Sequence, residues 1–190
     1  HTIAHFDSIF ADLRSDLGLE GSDKELFIYP ELYLTGYPLQ DLVLQREFIE
    51  RYLSNLNDLD NELKSMKPVN PHRKLLVGGL TYEFDGDGLP LYIRNVIFDL
   101  VPGEGLKPLY TKCLLPNYDI FDEQKYFSAG SEPAVIDFDG QKIGLLICED
   151  MWFSSTHKID PVGLLYEKVQ RDNIQLDLIV NLSASPYFIG

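Results

Sequence analysis

Cysteine is scarce in this chain of 190 residues, which holds only Cys113 and Cys148. Two thiols build no disulfide framework, and neither belongs to a CxxC pair, so a reducing compartment such as the cytoplasm is expected. The four histidines (His1, His5, His72 and His157) are scattered without zinc-binding spacing, and no metal site is expected. No apolar run approaches the roughly 20 residues that span a bilayer. The opening "HTIAHFDSIF" has no basic region ahead of an apolar stretch, so neither a membrane anchor nor a signal peptide is expected. Basic residues are outnumbered by acids, 16 against 30, which leaves a net charge of −14. Such a balance argues against nucleic acid, whose phosphates need positive charge. Linkers, internal repeats and low-complexity segments are also lacking.

What is there fits one globular domain with a sizeable core, since 45% of residues are hydrophobic and 24% charged. The spacing of Ile3, Phe6, Ile9, Phe10, Leu13 and Leu17 predicts an amphipathic helix over residues 2–17. Leu44, Phe48, Tyr52, Leu56, Leu59 and Leu63 predict a second over about 41–66. "ELFIYPEL" reads as a short strand stopped by Pro30, and "KLLVGGL" (74–80) as a buried strand. Extended runs flank the DG-rich turn of "TYEFDGDGLPLYIRNVIFDL", and "VPGEG" turns the chain again before "LKPLYTK". After an irregular aromatic loop over 115–130, Asp139-Gly140 marks a hairpin inside "AVIDFDGQKIGLLIC". A helix is expected over Leu164–Val169, and "LDLIVNLSASPY" is a last strand running into a polar loop. Strands alternating with helices, with hairpins between, predict a mixed α/β fold whose helices cover sheet. The chain opens on a helix where such folds usually open on a strand, and it stops one loop after a strand. An excerpt of a longer protein is expected.

Three segments end an extended run in an unexpected polar group. In "GLLICEDMWF" the preceding Ile143, Leu145, Leu146 and Ile147 form the continuous apolar run of a strand buried on both faces, and Cys148 ends it. The carboxyl ends of such strands are where α/β proteins place ligand sites, although an inert buried cysteine would also fit. Glu31 in "FIYPELYLTGYP" is either a surface acid or a carboxylate that needs a partner among its apolar neighbours. Lys112 in "PLYTKCLLPNY" either snorkels to solvent or faces a pocket. In extended chain a pocket-facing Lys112 turns Cys113 the other way, which leaves Cys113 structural and Cys148 the candidate nucleophile. Carboxylate, ammonium and thiol together make an amidase set: glutamate takes the thiol proton, and lysine stabilises the oxyanion of acyl transfer. No histidine stands in a comparable context. Asp150 reads as a strand-end or capping acid.

In these motifs the chain resembles the nitrilase (carbon-nitrogen hydrolase) superfamily, whose members use a Glu-Lys-Cys triad. "YPEL" resembles the glutamate motif and implies Glu31. "YTKCLLPNYDIFDEQKYFSAG" resembles the lysine motif and implies Lys112 with a second acid, Glu123. "IGLLICEDMWF" resembles the cysteine motif and implies Cys148, with the backbone N–H of Glu149 as an oxyanion donor. "PELYLTGYPLQDL", "LPNYDIFDEQKYF" and "NLSASPY" look most like the glutaminase domain of glutamine-dependent NAD synthetases.

The resemblance implies an α-β-β-α four-layer sandwich, lacking here the family's opening strand and everything beyond the "NLSASPY" loop. It implies that residues 1–190 are part of a glutamine amidohydrolase domain, without the ATP-using synthetase domain and its SGG-type loop. The implied reaction is hydrolysis of the side-chain amide of L-glutamine through a thioester, with Tyr37, Tyr118, Trp152, Ser183 and Ser185 around the substrate. No cofactor is implied for that step; ATP and Mg belong with the missing synthetase domain, and homo-oligomers are expected. Two rivals stay open: another amidase of the superfamily, acting on an ω-amide or carbamoyl group, and a catalytically inactive assembly module.

Overall fold

The structure is a computed structural model that describes residues 6–21, 23–118, 121–154 and 157–185, without the side chains of residues 6 and 7. In chain order its elements are α1 (Phe6–Gly18), β1 (Glu25–Ile28), α2 (Arg46–Ser65), β2 (Arg73–Phe84), β3 (Pro90–Val101), β4 (Gly105–Thr111), α3 (Glu123–Tyr126), β5 (Ala134–Phe138), β6 (Gln141–Ile147), α4 (Pro161–Arg171) and β7 (Leu178–Leu182). Two 3₁₀ turns, Gln40–Leu44 and Cys148–Met151, interrupt them.

Alternation along β2 and β3 divides their side chains between two packing layers. Leu75 and Val77 of β2, with Val96 and Phe98 of β3, join Phe10, Leu13 and Leu17 of α1 and Phe48, Tyr52, Leu59 and Leu63 of α2. Leu76 and Ile97 instead meet Ile143, Leu145 and Ile147 of β6 and Val180 and Leu182 of β7. Each such large apolar side chain contributes about 1.5–3 kcal/mol on burial. The first sheet runs β1-β2-β3-β4, with β1 parallel to β2 and the rest antiparallel. The second runs β5-β6-β7, a hairpin followed by a parallel strand. On its outer side α4 lies close because Gly144 has no side chain; a Cβ there would stand 2.7 Å from Leu165 Cδ2. Helices, sheet, sheet and helix form the four layers that the family resemblance implied.

The local signals held in most places. Asp139 (φ 54°) and Gly140 (φ 87°) make the expected hairpin turn with both central residues left-handed. α4 starts earlier than the spacing alone suggested, at Pro161, because Asp160 caps it by accepting the Gly163 N–H at 2.9 Å. α2 starts later, at Arg46, since Gln40–Leu44 wind as a 3₁₀ turn instead. Ile3, in the expected first helix, and Pro186 and Tyr187, in the last loop, lie outside the described residues. Among the described residues no helix is long and apolar enough to cross a membrane.

Candidate active site

The chain beyond β1 curls into successive turns, with Tyr33 N–H donating to Pro30 O and Gly36 N–H to Leu32 O. This lays Glu31 over β2. Gly78 lies directly beneath: a Cβ there would come within 2.5 Å of both Pro30 O and Leu32 N. The glycine of "LLVGGL" is thus what allows the Glu31 backbone to reach the gap between the sheets.

In that gap Glu31 is 2% exposed and Lys112 0% exposed. Lys112 Nζ lies 2.7 Å from Glu31 Oε1 and 3.0 and 2.8 Å from the two oxygens of Glu123. Tyr37 OH donates to Glu123 Oε1 at 3.0 Å, and Asn95 Nδ2 to Glu31 Oε1 at 2.8 Å. The Ala184 N–H reaches Glu31 Oε2 at 3.3 Å, which brings the loop after β7 to the same place. Burial works against charge on Lys112, but the fields of Glu31 and Glu123 outweigh it and hold the amine above its ordinary range. Burial raises Glu123, and Lys112 only partly offsets that. Two carboxylates thus share one ammonium.

Cys148 follows β6 at the start of its 3₁₀ turn, half-buried and in a left-handed conformation, φ 46°. That backbone is strained for a non-glycine residue, a feature that gathers at functional sites. Burial raises the thiol first, and the charge of Glu31 adds to it; Lys112 and hydrogen bonding with Ser185 pull the other way. A thiol in this position needs a base to react at neutral pH.

Asp150 ties this turn to the lysine strand. Its carboxylate accepts Leu114 N–H at 2.7 Å, Tyr110 OH at 2.9 Å, Cys113 N–H at 3.0 Å and Ile147 N–H at 3.1 Å. It is the capping acid that the sequence suggested, reaching also across to the other sheet. Cys113 stays in the inter-sheet core, where burial pushes its thiol up to about 11. Asp150→Ala is expected to destabilise the protein by about 1–3 kcal/mol for each buried donor left without a partner. The midpoint of denaturant unfolding reads this, with an unshifted midpoint as the contrary result.

The outer residues divide. Tyr118, half exposed, donates to Glu149 Oε2 at 2.7 Å, and this bond with burial pushes its hydroxyl up to about 12. Ser183 accepts from Asn181 Nδ2 at 3.4 Å, and Asn181 Nδ2 also reaches Cys148 O at 3.3 Å. Trp152, 70% exposed, stands out toward solvent. Tyr37 donates its hydroxyl to Glu123 Oε1, beside Lys112. Sequence reasoning missed Asn95, Gly78 and the side chain of Glu149. The double glycine inside a strand was the one available signal; Asn95 stands beside Arg94 ahead of the apolar "VIF" and gives none. Among the described residues no group of three or more His, Cys, Asp or Glu could hold a metal ion.

The carbon-nitrogen hydrolase family matches residues 20–159. The glutamine-dependent NAD(+) synthetase of Aquifex aeolicus is 36% identical over 172 residues, covering 90% of this chain and 26% of the relative. That of Synechocystis sp. is 33% identical over 172 residues, covering 87% and 29%. The chain therefore spans under a third of the length of these relatives. The structure of glutamine-dependent NAD+ synthetase from Acinetobacter baumannii with ADP superposes with a TM-score of 0.64 at 26% identity, over 100% of this chain and 30% of that one. An amidase from Nesterenkonia sp. AN1 in complex with butyramide shares the fold, with a TM-score of 0.59 at 16% identity over 95% of this chain and 59% of that one. By its family match and its fold, this chain belongs to the carbon-nitrogen hydrolases.

Proposed function

We propose that residues 1–190 are part of the glutaminase domain of a glutamine-dependent NAD synthetase, releasing ammonia from L-glutamine for conversion of deamido-NAD to NAD. The observation that carries this reading is the fully buried Lys112 between Glu31 and Glu123, next to Cys148 in its strained turn. Besides balancing those two carboxylates, an ammonium held there can stabilise a negative oxygen that appears beside it.

In the proposed reaction the Cys148 thiol gives its proton to Glu31 as Sγ attacks the side-chain amide carbon. Lys112 and the Glu149 backbone N–H receive the oxyanion. Glu31 returns the proton to the departing nitrogen, the C–N bond breaks, and ammonia leaves a thioester behind. Water then attacks the thioester carbon while Glu31 takes its proton; the C–S bond breaks, glutamate leaves, and the sulfur regains a proton. Glu123 holds Lys112 in place, and Tyr37 holds Glu123. Tyr118 and Glu149, paired at the mouth, suit the charged head of an amino acid, with Glu149 placed to accept its ammonium. Ser183, Ser185 and Trp152 complete the surroundings. ATP and Mg would act in a synthetase domain outside this chain, in a cytoplasmic homo-oligomer.

A second reading keeps the triad and exchanges glutamine for another ω-amide or a carbamoyl group, as the shared fold with an amidase allows. Ammonia release by the full-length protein from glutamine, simple aliphatic amides and carbamoyl compounds separates the two. Preference for glutamine supports the synthetase reading, and preference for the others supports the second. An inactive assembly module would release no ammonia and leave Cys148 unlabelled by a glutamine-analogue electrophile.

Gly78→Ala tests the placement of the base. The added Cβ pushes the Glu31 backbone, and a misplacement of about 1 Å costs about 100-fold in rate. The expected result is that kcat for ammonia release falls by that order while the KM for glutamine stays close to wild type. An unchanged kcat contradicts it.

A further inference from the structure

Glu31 has two carboxylate oxygens with unequal surroundings. Oε1 receives Lys112 Nζ at 2.7 Å and Asn95 Nδ2 at 2.8 Å, both near ideal. Oε2 receives one long bond, from the Ala184 N–H at 3.3 Å. Two close donors pin Oε1, which leaves Oε2 the less engaged oxygen of the pair.

Asn95 belongs to this arrangement in three ways. It is 0% exposed, on a strand whose neighbouring inward residues are apolar, so its amide was not placed there by hydration. Its backbone carbonyl accepts the Lys112 N–H at 2.9 Å, which ties Asn95 to the lysine by main chain and to the glutamate by side chain. Its Oδ1 is buried without a hydrogen-bond partner among the described residues. Turning the amide over would set Oδ1 against Glu31 Oε1, acceptor against acceptor, so the carboxylate fixes which way the amide faces. A buried carbonyl left without a partner is unfavourable, and is retained here together with the one bond the amide makes to the base.

We propose that Asn95 is a positioning residue that holds Oε1 of Glu31 and thereby presents Oε2 to the Cys148 thiol. The proposal rests on Glu31 being the base for Cys148, as in the function proposed above. The charged and titratable groups facing Glu31 are Lys112 at the end of β4, Glu123 of α3, Tyr37 from the loop after β1, and Cys148 after β6; β2 contributes only Gly78. Removing the Asn95 donor leaves Oε1 held by Lys112 alone, so the carboxylate is free to turn about its own bond.

The test is the rate of Cys148 alkylation by iodoacetamide at neutral pH in the full-length protein, which needs no glutamine turnover. Asn95→Leu, similar in size and without the donor, is expected to slow that alkylation roughly 10-fold, because the base no longer points at the thiol. The kcat for ammonia release is expected to fall roughly 10- to 100-fold with KM nearly unchanged. Asn95→Ser, smaller and still polar, provides a second variant should the leucine disturb folding, and is expected to slow alkylation in the same way. An alkylation rate that stays at the wild-type value in a folded variant overturns the proposal. So does a loss carried by KM with kcat unchanged. Failure of the functional reading looks different: wild-type protein would then release no ammonia from glutamine, whatever the alkylation profile.

Discussion

Cys148→Ala in the full-length protein is expected to bring ammonia release from glutamine to the background of the assay. The sulfur makes the only covalent bond to substrate in the proposed sequence. Cys113 is buried in the core with its thiol raised to about 11 by burial, so it cannot substitute. Folding is expected to survive, because Cys148 is only half-buried and its turn is held by Asp150. Relief of the φ 46° strain is not expected either, since alanine is as disfavoured there as cysteine. Full-length Cys148→Ala that still hydrolyses glutamine at the normal rate would dismiss this nucleophile.

Lys112→Met is expected to damage both stability and rate. The side chain is fully enclosed, and its charge balances two carboxylates at 2.7 and 2.8 Å. Breaking a buried ion pair by removing one partner costs about 3–5 kcal/mol, because the other charge stays behind unpaired. Two are left behind here. Loss of an oxyanion donor removes about 2.7–4 kcal/mol of transition-state stabilisation, or two to three orders of magnitude in kcat. Lys112→Arg is expected to rescue little, because a planar guanidinium does not fit a slot shaped for a point charge on a straight chain. Denaturant midpoints and kcat for ammonia release measure the two effects. Normal stability of the methionine variant would mean that the carboxylates do not depend on this charge.

The residues to which the proposed chemistry is assigned were legible where a thiol or charge broke an apolar run at a strand end. Glu31, Lys112 and Cys148 share that signature, and the resemblance added Glu123. Asn95 shows no such break. Its importance comes from Glu31, 64 residues away, and that contact exists only once β3 has folded beneath the turn after β1. Tyr37 and Glu123 were each legible as residues near the site, but their pairing was not, for the same reason. Asp150 was read locally as a cap; the three groups it accepts from the other sheet could not be foreseen from its own neighbours. Periodicity found α1, α2 and α4 but not α3, whose four residues, Glu123–Tyr126, are too few to show a helical repeat inside the loop expected over 115–130; the 3₁₀ turn at Gln40–Leu44 escaped because its apolar spacing continues smoothly into α2.

Mass spectrometry of the intact protein, quenched in acid during turnover of glutamine, tests the central claim most directly. The account predicts a glutamyl adduct on the peptide containing Cys148, lost in Cys148→Ala and sharply reduced in Lys112→Met. Steady turnover of glutamine with no adduct on Cys148 at any quench time, and with the adduct on another residue, would contradict it.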